Sequence, residues 1–382
     1  MALSFKQLIG RRVEGRGPGP RPPAHIRRLQ PYSPVSSLDQ IAQAEDTHTQ
    51  FKLDWNESTI EPSPRVKEAL MALLDGSSTL RWYPDLRADD LRGALARHNG
   101  VSKDSLIVTN GSDDALLLLC RTFLSSQNEV VVPVPTYNHF MVYAGAQNAR
   151  IVEVAEPDPF CKNIRHLERS ISALTRMVYL VSPNNPTGIV WGEKDVAALC
   201  KRFPKVVFVV DEAYHEFSGQ SVIQLTQTYS NLAVTRTFSK AYGLAAFRVG
   251  YVAAHPSLCD HLHRLHNPKS VNTMAQVAAT AALSDTEYLK NYVEDVRIAR
   301  ASFVEFLREQ GFEARDTPGN YVMVRVPDPD IFIAGLEKRG VFIRDRSRQP
   351  RLSGFVRISV GTCDQMKEVQ ARILEVIESA GW

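Results

Sequence analysis

The 382-residue chain has no apolar run near the 18 or so residues that a membrane-spanning helix needs. A notable short run, Ala115–Cys120, stops at Asp114 and Arg121. Cysteine is sparse: Cys120, Cys161, Cys200, Cys259 and Cys363 are scattered and odd in number, with no C-x-x-C pair. That argues against a disulfide framework and for reduced, mostly buried thiols in a cytoplasmic setting. There is no internal repeat and no G-x-x-x-x-G-K phosphate loop, so a nucleotide-phosphate enzyme has no support. Net charge is small, +3 from 45 basic and 42 acidic residues, and most of it sits at one end. Residues 1–28 carry seven Lys and Arg against Glu14 alone, which leaves the rest of the chain mildly acidic. A nucleic-acid-binding body is excluded on that balance. The N-terminus also lacks the continuous apolar stretch of a secretory signal, and Gly15–Pro23 is too rich in Gly and Pro for regular structure. Residues 1–28 read as a disordered basic tail.

The body has an ordinary globular composition, 44% apolar and 23% charged. Short β-branched runs alternate with helical segments: Leu106–Thr109, Val130–Val134, Ile151–Val154, Met177–Val181, Val206–Val210, Leu232–Arg236 and Arg248–Ala253. Most are apolar on both faces, as strands covered on both sides are. The alternation predicts an α/β domain with a mostly parallel seven-stranded sheet over 61–272. From Thr273 one long amphipathic helix is expected to run to Phe306. Strand-like runs at Tyr321–Val326 and Phe355–Val360 and a helix over Gln365–Ala380 follow, giving a smaller α+β domain over 273–382. Residues 29–60 are expected to form an arm packing on the small domain or a partner subunit.

Parallel sheets place ligands beyond the carboxyl ends of their strands, and the polar residues there form a series. After the first run comes Asn110-Gly111-Ser112-Asp113, opening a helix whose free N–H groups suit a phosphate. After the second come Thr136 and Tyr137, and after the fourth Ser182-Pro183-Asn184-Asn185-Pro186-Thr187-Gly188. Asp211-Glu212-Ala213-Tyr214 follow the fifth, and Thr237-Phe238-Ser239-Lys240 the sixth, with Arg248 eight residues past the lysine. Singly, these read as caps, turns and surface charges.

Together they resemble the pyridoxal-5′-phosphate (PLP) enzymes of fold type I, the class I/II aminotransferase superfamily, over the chain from about Leu29 to its end. The resemblance implies PLP as cofactor and Lys240 as the Schiff-base lysine that also shuttles the Cα proton. Nearby cations such as Arg248 are expected to lower its pKa. By the same resemblance Asp211 partners the pyridine nitrogen. Asn185 and Tyr214 bond the phenolic oxygen, and Tyr137 stacks on the ring. Gly111, Ser112, Asp113, Thr237, Ser239 and Arg248 would hold the phosphate. Tyr83, in Arg81-Trp82-Tyr83-Pro84-Asp85, matches a tyrosine that reaches the phosphate from the neighbouring subunit, which implies a homodimer with shared active sites. Arg357 corresponds to the clamp on the substrate carboxylate.

Within the superfamily, Leu53-Asp54-Trp55-Asn56-Glu57 and Arg344-Asp345-Arg346 leading to Arg357 resemble the histidinol-phosphate aminotransferase branch. Trp55, Asn56, Arg344 and Arg357 then face a small amino-acid or phosphorylated amine substrate. That branch usually carries a tyrosine just after its Asn-Glu pair, where this chain has Ser58-Thr59-Ile60. Trp55 and His139 are bulky where small residues are common. The substrate pocket is therefore altered while the cofactor set is intact. The branch also holds cyclases of hydroxylated arginines, lyases and decarboxylases. Non-catalytic regulators of this fold usually add a DNA-binding domain, for which the 28-residue tail is too short. His261, His263 and His266 do not share a helix face, so no metal site is expected.

Overall fold

The computed structural model describes residues 19–29, 50–76 and 79–382. The expectations for tail residues 1–18 and arm residues 30–49 lie outside the described residues. Residues 51–53 of the arm pack on the smaller domain, while Leu29 lies against Gly145 of the large one. Strand β1 (Phe51–Lys52) pairs in parallel with a later strand at Val341–Phe342, and Leu53 is buried in the small-domain core.

Seven strands form the large sheet: β2 (Leu106–Thr109), β3 (Glu129–Val134), β4 (Arg150–Ala155), β5 (Thr175–Val181), β6 (Val207–Asp211), β7 (Leu232–Thr237) and β8 (Gly250–Ala254). Their order is β2-β8-β7-β6-β5-β3-β4. Helices cover both faces, so alternate residues of one strand enter different cores. Val178 and Leu180 point into one, while Met177, Tyr179 and Val181 point into the other. Strand β8 runs antiparallel to both its neighbours and the other pairings are parallel. Between β7 and β8 lies only the short turn Ala245–Phe247, not the helical crossover that a parallel return requires, so the chain doubles back.

The smaller domain has a four-stranded antiparallel sheet of β9 (Glu313–Arg315), β10 (Tyr321–Arg325), β12 (Arg344–Asp345) and β13 (Phe355–Ser359), in the order β12-β13-β10-β9. Strand β11 (Val341–Phe342) is the partner of β1. The single helix expected over Thr273–Phe306 is two helices, Thr273–Ser284 and Thr286–Glu309. Asp285 breaks it by leaving helical geometry, with ψ 67°, and its carboxylate accepts the Tyr288 N–H as the second helix's N-cap. The first helix is rich in alanine, and Ala275, Ala278, Ala279 and Ala282 pack into the large-sheet core. The second buries Tyr292, Val296, Phe303 and Leu307 in the small-domain core, beside the final helix Cys363–Ala380. The sequence division at 272/273 thus falls before a helix that packs with the large sheet.

Candidate active site

Three segments meet beyond the carboxyl ends of β5, β6 and β7: the arm at 54–57, the turn after β5, and β13 of the smaller domain. Lys240 lies three residues past β7, and its Nζ donates to the Trp55 carbonyl at 2.7 Å, 6.0 Å from the centre of the Tyr214 ring. Burial pushes its pKa down to about 8; Glu57 opposes this, while Arg357 and Lys52 add to it. A buried ammonium loses hydration, so the neutral amine is populated near physiological pH far more than in an exposed lysine. The expectation that Arg248 depresses this amine is corrected. Arg248 instead donates to the Ser239 hydroxyl at 3.2 Å and the Ala245 carbonyl at 3.1 Å, and its guanidinium stands 3.6 Å from Asp113.

Tyr214 is buried, and its oxygen accepts from Asn56 Nδ2 and from Asn185 Nδ2, each at 3.1 Å. With two amides donating to that oxygen, its own O–H is left to act as a donor. Asn56 holds a left-handed backbone, φ 55°, which asparagine tolerates better than most residues. The Ser359 hydroxyl fixes it, accepting from the Asn56 N–H and donating to Asn56 Oδ1.

Arg357 is buried and donates through Nη1 to Asn185 Oδ1 at 2.7 Å and through Nη2 to the Asp54 carbonyl. Its Nε is buried without a partner, as is Nη1 of Arg344. The β12–β13 register sets Arg344 directly opposite Arg357, and neither forms an ion pair with a described carboxylate. Two guanidinium groups held this close without an acid between them suit a dianion.

Asp211 closes β6. One oxygen, Oδ2, accepts the Tyr179 O–H at 2.9 Å, while Oδ1 is buried with no hydrogen-bond partner. Burial pushes its pKa up to about 6, with the Tyr179 bond opposing. An orphaned buried acceptor is costly unless a ligand donor meets it. Tyr137 donates to Asp113 Oδ1 at 2.8 Å, with its ring beside His139.

The helix Gly111–Phe123 starts against the turn that carries Thr237, Ser239 and Arg248. Thr237 donates to Ser239 Oγ at 2.9 Å. Gly250 of β8 lets the helix N-terminus come close: a Cβ there would lie 2.7 Å from the Gly111 carbonyl carbon and 2.8 Å from the Ser112 nitrogen. Gly111 has φ 79°, and a Cβ on it would meet Arg248 Nη2 at 2.7 Å. Ser112 and Asp113 thus open their N–H groups beside two hydroxyls and a guanidinium. Arg248 adopts φ 54°, an uncommon backbone for arginine that aims its side chain back at this cradle.

Sequence reasoning missed three groups. Tyr179 reads as an ordinary core strand residue yet holds Asp211. Glu212 and Arg236 form a buried pair in which Arg236 Nε and Nη2 both donate to Glu212 Oε2, at 2.9 and 2.7 Å; joined by Asn99, Ser221 and Tyr251, it ties β6 to β7 behind the site. Asn184 accepts from Thr136 and donates to the Pro135 carbonyl, joining the turns after β3 and β5. Tyr83 lies on the surface, 77% exposed, with the Lys269 ammonium 5.2 Å from its ring.

A lone acceptor at Asp211, an amine of lowered pKa, a paired-amide tyrosine and a helix-terminal anion cradle fit the donor set that PLP requires. The comparisons agree. Residues 48–373 match the model for aminotransferase class I and II. A dihydroxyacetone phosphate transaminase of Campylobacter jejuni is 36% identical over 363 residues, covering 94% of this chain and 97% of that protein. A histidinol-phosphate aminotransferase of Anoxybacillus flavithermus is 33% identical, covering 90% and 93%. Among solved structures, histidinol-phosphate aminotransferase from Sinorhizobium meliloti, in complex with pyridoxal-5′-phosphate, superposes with a TM-score of 0.84 at 26% identity, covering 94% and 98%. Site geometry, family match and fold therefore converge: the chain belongs to the class I and II aminotransferases.

Proposed function

We propose that this protein is a PLP-dependent aminotransferase that moves an amino group between an amino acid and a small phosphorylated carbonyl compound. The observation that carries the choice of substrate is the facing pair Arg344 and Arg357, each with a buried nitrogen left unpartnered. A phosphate monoester brings close to two negative charges and several acceptor oxygens to such a pair. The relatives acting on dihydroxyacetone phosphate and histidinol phosphate support a phosphorylated substrate. Ser58-Thr59-Ile60 in place of the branch's tyrosine, with the bulky Trp55, favours a smaller one than histidinol phosphate.

In this reading Asp211 faces the ring nitrogen of PLP, Tyr214 and Asn185 its phenolic oxygen, and Tyr137 its ring face. Gly111, Ser112, Asp113, Thr237, Ser239 and Arg248 hold its phosphate. PLP, when bound, supplies an electrophilic carbonyl and an electron-withdrawing ring. The chain supplies the rest. Lys240 Nζ, with a pKa of about 8, is neutral often enough near pH 7 to take a proton from the substrate Cα and return it. Arg357 orients the amino acid by its carboxylate in one half-reaction, and Arg357 with Arg344 holds the phosphorylated partner in the other. Asn56 and Trp55 line the wall that the arm places over Lys240.

Tyr83 is read as reaching the cofactor phosphate of a partner subunit in a homodimer. Its exposure, with Leu80, Trp82 and Leu86 also exposed nearby, supports that reading. Unpaired cysteines support a reducing, cytoplasmic compartment, and no helix among the described residues is long and apolar enough to cross a membrane. A kinetic screen of three-carbon carbonyl phosphates against histidinol phosphate, each with a common amino donor, tests the substrate class. A kcat/KM for histidinol phosphate far above the three-carbon compounds would refute it.

A further inference from the structure

We propose that Tyr179 is a positioning residue that sets the proton affinity of Asp211, and through Asp211 that of the ring nitrogen it faces. The inference rests on the reading of Asp211 as the cofactor's ring partner. Tyr179 lies mid-way along β5, opposite Val209 of β6, while Val181 lies opposite Asp211. Tyr179 and Asp211 are therefore diagonal neighbours on one sheet face, a separation that an aromatic side chain spans. The tyrosine is 1% exposed, and its ring lies flat on Phe140 of the helix His139–Ala146, with centroids 3.8 Å apart and planes at 12°. That stack fixes the direction of the O–H, which donates to Asp211 Oδ2 at 2.9 Å.

The consequence is asymmetric. Oδ2 is occupied, and Oδ1 remains as a single buried acceptor of defined direction. A carboxyl group this deep tends to take up a proton, and a donor to its ionised form opposes that tendency. The nearby Thr235 side chain of β7 and the Ala213 N–H pull the same way as Tyr179, while the like charge of Asp113, on the helix Gly111–Phe123, pushes the other way. Among these, Tyr179 is the side chain whose oxygen the geometry ties directly to Asp211. Without its hydroxyl, the proton shared between carboxylate and ring nitrogen moves toward Asp211, and the ring withdraws electrons less well.

Tyr179→Phe removes the hydroxyl and keeps the ring and its stack. Full-length protein labelled with 13C at the aspartate carboxyls, with the Asp211 signal assigned through Asp211→Asn, reports the titration directly. With PLP stripped, the Asp211 midpoint should rise by about one to two pH units in Tyr179→Phe. In the PLP-loaded protein, the 15N signal of the labelled ring nitrogen should move toward its unprotonated value at pH 7, and the acid limb of kcat should move up. Tyr179→3-fluorotyrosine has nearly the same shape and donates more strongly, so its midpoint should fall. It decides the question if Tyr179→Phe does not fold. An unmoved midpoint in a folded variant, or shifts of the same sign in both variants, would overturn the proposal. Failure of the wild-type protein to bind PLP would instead sink the functional reading, and the titration of the stripped protein would still decide the role of Tyr179.

Discussion

Replacing Arg357 by lysine keeps a positive charge at the centre of the site and removes the planar fork. The guanidinium now spends Nη1 on Asn185 and Nη2 on the Asp54 carbonyl, and its buried Nε is left without a partner. A lysine ammonium cannot hold those two acceptors and a bidentate anion at once. Losing one charge-assisted hydrogen bond to the substrate costs about 1.5–3 kcal/mol. At 1.36 kcal/mol per tenfold, kcat/KM should fall roughly ten- to 150-fold. The loss should appear in both half-reactions if, as proposed, the amino acid and the phosphorylated partner both use Arg357. Arg344→Lys should behave differently: Arg344 makes no bond to the groups around Lys240, so the loss should concentrate on the phosphorylated substrate. Stopped-flow measurement of each half-reaction in both variants separates the two. Equal losses in both half-reactions for Arg344→Lys, or unchanged amino-acid kinetics in Arg357→Lys, would refute the assignment of the pair.

Three further outcomes follow from the geometry. Borohydride trapping of PLP on Lys240 in stripped protein should rise through a midpoint near pH 8, because the folded amine titrates below its ordinary value and only the neutral form attacks; a midpoint near 10.5 would contradict the buried amine. Gly250→Ala forces a Cβ to 2.6 Å from the Arg236 carbonyl and 2.7 Å from the Gly111 carbon, so it should destabilise the fold by about 1–3 kcal/mol and weaken PLP affinity, read by denaturant unfolding and equilibrium dialysis. Mixed dimers of Tyr83→Phe and Lys240→Ala chains should recover activity through one complete site, whereas no recovery would count against a shared site.

Much of this architecture is legible in the sequence because physics writes it locally. Runs such as Val207–Val210 are apolar on both faces only where both faces are covered, and the polar series after each strand marks one end of the sheet. Strand direction is not written that way: β8 is buried and mostly apolar like the parallel strands of the sheet, and it reverses because the segment before it holds no crossover helix. The break at Asp285 was hidden by apolar positions that continue in helical spacing on either side of it. Tyr179 and Arg236 acquire their meaning only from register, and Tyr179 looks like any aromatic in a strand until β5 is set beside β6. The resemblance singled out Arg344, and the β12–β13 register adds that it lies directly opposite Arg357. Nearby cations do lower the Lys240 pKa as expected, but they are Arg357 and Lys52, which only the fold brings close, and burial acts first.

The most direct measurement is a single turnover of PLP-loaded protein with 2-amino-3-hydroxypropyl phosphate, the amine that replaces the carbonyl of dihydroxyacetone phosphate. Transamination predicts one equivalent of ketone phosphate per site, conversion of the cofactor spectrum to that of the amine form, and return of the aldehyde form only when a keto acid is added. Substrate consumed with the cofactor always returning as the aldehyde would contradict it.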